Sequence, residues 1–91
     1  MNERVSYINN STWLLKKLND ATLEIQKYLI KIEEAKAALN EYSNMIHELE
    51  KLGYYTSVSA CARNLMKQAD LIVEYQKQIN HIQRYINELF E

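Results

Sequence analysis

A chain of 91 residues is at most one small domain, and its 47% hydrophobic content is too high for a segment that stays disordered. Eleven Lys and Arg stand against twelve Asp and Glu, split six to seven over 11–52 and four to four over 57–91, which argues against nucleic acid or an anionic membrane as the main partner. The longest apolar runs are three residues, too short for a membrane span or a signal-peptide core, and the lone Cys61 excludes an internal disulfide.

Taken in chain order, Val5, Tyr7 and Ile8 come first, followed by Asn9-Asn10-Ser11-Thr12, which reads as a break and then a helix cap. The first ten residues are expected to fold back or dock on a partner and cover Trp13, the only tryptophan. From Leu14, steps of four and three pass through Leu18, Ala21, Ile25, Tyr28, Ile32, Ala35, Leu39, Tyr42, Ile46 and Leu49. Every position is apolar or aromatic, the spacing of a helix that buries a narrow stripe against another helix. This predicts helix 1 over about 11–52. A break near Asn40–Asn44 is the alternative, although those residues lie off the stripe.

Gly53 is the only glycine, there is no proline, and the first stripe ends just before it. A glycine after a helix commonly takes the left-handed conformation that stops it. The turn is placed at 53–56, with Tyr54 packed back on Leu49 and Thr56 or Ser57 capping the next helix. A ligand or partner site at Tyr54 and Tyr55 is the competing reading, and the turn is preferred. Helix 2, over about 57–90, carries its own stripe: Val58, Cys61, Leu65, Gln68, Ile72, Tyr75, Ile79, Ile82, Ile86 and Leu89.

If the helices fold back antiparallel, facing stripe residues should have numbers with a constant sum. Pairing 49 with 58, 42 with 65, 35 with 72, 28 with 79 and 21 with 86 gives 107 throughout. Large residues meet small ones, Ile72 against Ala35 and Ile86 against Ala21. Gln68 faces Leu39, where it sets register or turns outward. The fold class is therefore all-α, an antiparallel coiled-coil-like hairpin forming one domain over 1–91.

A single stripe per helix is little burial for a chain of this size. A second apolar surface comprises Leu15, Leu23, Leu29, Ile30 and Ala37 on helix 1, and Ala62, Met66, Ala69 and Val73 on helix 2. Such a face signals a partner, and a four-helix bundle of two hairpins would cover it. Leu15, Leu23, Leu29, Ile30, Met66, Val73 and Trp13 are the candidate partner-binding residues.

Chemistry is not signalled. His47 and His81 fall outside both stripes, with Asn44 and Gln78 where a carboxylate-x-x-His metal motif needs an acid. Cys61 reads as a seam residue, and a single glycine rules out a phosphate loop. Arg63, Lys77 and Arg84 share an outer face on which Glu74 and Glu88 should pair with Lys77 and Arg84. No catalytic, metal or cofactor residue is assigned, and no enzyme is expected. Tyr28, Tyr42 and Tyr75 are explained first by packing in the seam. An RNA-binding hairpin dimer is a further alternative, disfavoured by the balanced charge.

The hairpin, its length and the mid-chain glycine resemble the small Trp-x-Gly helical-hairpin proteins of type VII secretion and their helical partners. The family's turn motif reads Lys51-Leu52-Gly53 here, matching at the glycine alone. Its C-terminal tyrosine followed four residues later by an acid is absent, since Ile79 follows Tyr75 and Leu89 follows Tyr85. The resemblance implies homo- or heterodimers, a chaperone-like or partner role toward a larger protein client, and a bacterial chain that is cytoplasmic or exported without a cleavable signal. The competing class is an intracellular or phage-encoded helical adaptor that occludes another protein.

Overall fold

A computed structural model describes the backbone from Glu3 to Glu91 and the side chains from Ser11 onward. Two helices, α1 (Glu3–Leu52) and α2 (Tyr55–Leu89), pack against each other as a hairpin, and no strand occurs among the described residues. Fifty residues at 1.5 Å each make α1 about 75 Å long, close to the 77 Å extent of a molecule only 16 by 12 Å in cross-section. α2, at 35 residues, is shorter by 15, so the start of α1 projects about 22 Å beyond it.

The helix is continuous where the sequence suggests interruptions. It runs through Asn9-Asn10-Ser11-Thr12, so the expected break and cap there are not made, and α1 begins at Glu3 rather than near 11. It also runs through Asn40–Asn44. Asn, Ser and Thr lower helix propensity by only tenths of a kcal/mol each, and without Gly or Pro nothing forces the backbone out.

The turn is tighter than expected, two residues rather than four. Gly53 has φ +77°, its N–H donates to the Glu50 carbonyl at 3.1 Å, and the Tyr54 N–H donates to the Leu49 carbonyl at 3.0 Å. These are the paired bonds of a Schellman stop, which satisfy carbonyls left open at the end of α1. Tyr54 (φ −86°, ψ 68°) is an inverse γ-turn, closed by the Tyr55 N–H on the Gly53 carbonyl at 3.1 Å. α2 starts immediately, and its N-cap is Tyr54 without a side-chain cap bond. Thr56 and Ser57 therefore lie inside the first turn and cap nothing.

Every stripe residue on both helices is buried or half-buried. Ala21, Ile32, Ala35, Cys61 and Ile79 are the buried core of the described residues. Three of those five are small, which is how helices approach closely enough to exclude water from so narrow a contact. Gln68 is half-buried, and no buried side-chain nitrogen or oxygen among the described residues lacks a partner. The Tyr28 and Tyr75 rings meet at 5.9 Å between centroids, joining the adjacent layers of 28 with 79 and 32 with 75. Lys31 Nζ lies 5.7 Å from the Tyr28 ring centre and 5.6 Å from that of Tyr75, covering the pair from the solvent side.

Candidate functional site

With the seam fixed by burial, the remaining apolar residues can be placed around each helix. Leu23 lies midway between seam residues 21 and 25, Ile30 between 28 and 32, and Ala37 between 35 and 39. Two residues from a seam position in either direction is about 200° of rotation, so these three form a ridge on the back of α1, directly opposite α2. Leu15 and Leu29 instead follow a seam residue by one and lie on a flank. Ala62, Met66, Ala69 and Val73 also follow seam residues by one, and in an antiparallel pair they share that flank. The single broad face expected from the sequence thus resolves into a ridge and a flank.

All seven candidate residues are solvent-exposed in the single chain. Leu15 is 67% exposed, Met66 64% and Ile30 60%, values ordinary for lysine rather than for leucine-sized apolar groups. Trp13 is half-exposed; within the chain its described contact is Lys17 Nζ, 5.8 Å from its ring centre. The side chains of Val5, Tyr7 and Ile8, expected to help cover it, lie outside the described residues. Tyr54 and Tyr55 are exposed as well, and the described link between Tyr54 and Leu49 is the backbone hydrogen bond at 3.0 Å.

An open groove of about 470 Å³ runs along the ridge, lined by Leu29, Ile30, Glu33, Glu34 and Ala37. Residues 30, 33, 34 and 37 have the i, i+3, i+4, i+7 spacing of a hole that accepts one side chain from a facing helix. Lys36 Nζ meets Glu33 Oε1 at 3.4 Å, an exposed pair worth little against solvent.

A second depression, about 340 Å³, was not anticipated from the sequence. Ala21 and Ile82 form its floor, and Lys17, Asp20, Glu24, His81 and Tyr85 its walls. The register could have found it: positions just before seam residues, 17 and 24 on α1 and 85 on α2, share the flank opposite Leu29. The cleft offers mixed charge without convergence, and no hydrogen bond links His81 to either acid. Among the described residues no group of three or more His, Cys, Asp or Glu could hold a metal ion. His47 is exposed and Cys61 is buried in the seam.

The outer polar face is solvated, with its pairs arranged differently from expectation. Glu74 accepts from Gln78 Nε2 at 3.2 Å rather than pairing with Lys77, and Glu48 meets Lys51 at 3.5 Å. Among the described residues no helix is long and apolar enough to cross a membrane. Comparison of the chain with protein-family models, with curated proteins and with solved structures finds no match.

Proposed function

We infer that this chain is a non-enzymatic helical interaction module, whose work is to pair its exposed helix surfaces with those of another helical chain. The observation that carries this reading is the imbalance of burial. The core of the described residues holds five side chains, while Leu15, Leu23, Leu29, Ile30, Met66, Val73 and Trp13 remain exposed. A compact monomer of 10.8 kDa exposes about 5,500 Å². This chain exposes 7189 Å², about 1,600 Å² more, and a standard interface buries about 800 Å² on each partner. The hairpin has surface to spare for one or two such contacts, and assembly with further helices is the way to bury it.

The test is an Ile30→Glu, Met66→Glu double variant, compared with the wild type and a Lys77→Glu control by sedimentation and circular dichroism. The wild type and control should run as an assembly and the double variant should not, because each glutamate would place an unpaired charge in an apolar contact. An unchanged sedimentation profile for the double variant would remove the basis of the reading. In cells, loss of export together with pairing points to a secretion-type partner. Loss of a target complex alone points to an adaptor.

A further inference from the structure

We propose that the ridge on the back of α1 is covered by a second copy of this chain, crossing antiparallel with Ile30 at the dyad. This rests on the interaction-module reading and names its partner. The ridge is self-complementary in a way that a surface meant for an unrelated chain need not be. Leu23 and Ala37 stand seven residues on either side of Ile30. In an antiparallel pair centred on residue 30, Leu23 of each copy falls at Ala37 of the other, large against small, beside the hole bounded by Ile30, Glu33, Glu34 and Ala37.

The charges beside the ridge obey the same symmetry. A two-fold axis lying in the interface brings like flanks together. Lys27 therefore lies across from the partner's Glu34, and Glu34 across from the partner's Lys27. On the other flank Gln26 meets the partner's Glu33, an amide donor opposite a carboxylate. All four side chains are exposed in the single chain, and Glu33, which meets Lys36 at 3.4 Å, would share its carboxylate with the partner's Gln26. The next pair outward, Asp20 opposite the partner's Glu41, is like-charged and marks where the crossing helices must diverge. The contact is accordingly confined to residues 23–37, about 21 Å of helix. It leaves the flank of Leu29, Met66 and Val73 free for another contact.

Single cysteines in a Cys61→Ala background test the geometry, with helicity checked by circular dichroism. Ile30→Cys should form a disulfide-linked dimer under mild oxidation. Leu23→Cys should not link to itself but should link when mixed with Ala37→Cys. Self-linking of Leu23→Cys, or no link through Ile30→Cys, would overturn the proposal. Charge reversal tests the chemistry independently of folding. Lys27→Glu and Glu34→Lys should each weaken dimerisation about tenfold, since every change acts twice by symmetry. The combined Lys27→Glu, Glu34→Lys variant should return to within about twofold of the wild type, and lack of rescue contradicts the pairing. If association instead survives all ridge changes and is lost with Met66→Glu and Val73→Glu, the second copy on the ridge is excluded and the interaction-module reading stands. If neither set alters the mass in sedimentation, both fall.

Discussion

Ile30 and Ile32 are the same residue two positions apart on one helix, and their surroundings could hardly differ more. Ile32 is 5% exposed in the seam, whereas Ile30 is 60% exposed on the ridge. Helical phase alone separates them: about 200° of rotation turns one toward α2 and the other to water. Hydrophobicity at a position therefore does not tell whether it serves the fold or an interface. Phase relative to the stripe does. In this chain the seam holds the hairpin together, and the ridge and flank face solvent.

The contrast can be broken most severely in the seam. Ile32→Ala should cost about 2–5 kcal/mol in denaturant unfolding, through lost burial and the cavity left behind. Ile30→Ala, measured at dilutions where the chain is dissociated, should stay within about 0.5 kcal/mol of wild type. Similar losses for both would mean that the two positions are not differently placed. Ala35→Leu comes next. Ala35 is 4% exposed, and a larger side chain there should force the helices apart at a cost of about 1–3 kcal/mol. The equivalent Ala37→Leu on the ridge should leave the fold intact.

Two smaller effects sharpen the seam's limits. Gly53→Ala should cost about 1–2 kcal/mol, because alanine resists the left-handed backbone at φ +77°. Nothing lies within 4 Å of the added methyl group, so the loss is conformational and Gly53→Asn should recover part of it. Lys31→Ala should cost about 0.5–1 kcal/mol by uncovering the Tyr28 and Tyr75 rings, while Lys27→Ala, which touches neither ring, leaves dilute-chain stability unchanged. Thermal melts of the four lysine and glycine variants against wild type read all of this in one series.

The paired part of the hairpin was legible because its signal is repetitive. Eleven apolar positions on α1 and nine on α2 at alternating spacing, one glycine and a constant pair sum leave little freedom for another arrangement of the two helices. The helix ends were less legible because they depend on single residues. Asn9-Asn10-Ser11-Thr12 has the composition of a cap, yet a cap side chain acts only where the backbone already leaves the helix. Thr56 and Ser57 failed for the same reason, since the γ-turn at Tyr54 starts α2 before them. The exposure of the candidate residues was legible from their place off the stripe, but their arrangement around the helices was not. Separating Leu23, Ile30 and Ala37 from Leu29, Met66 and Val73 required knowing which stripe faces inward.

The concentration dependence of the melting temperature tests most directly whether assembly completes this fold. Wild-type chain should be melted by circular dichroism over a hundredfold range of concentration, beside Ile30→Glu. A hairpin stabilised by binding another copy melts higher as concentration rises, because mass action favours the folded, associated state. The wild type should show that rise and Ile30→Glu should melt at a lower, nearly constant temperature. A wild-type midpoint that stays the same across the whole range would show a hairpin that is stable alone, and its exposed ridge would then have no part in holding the molecule together.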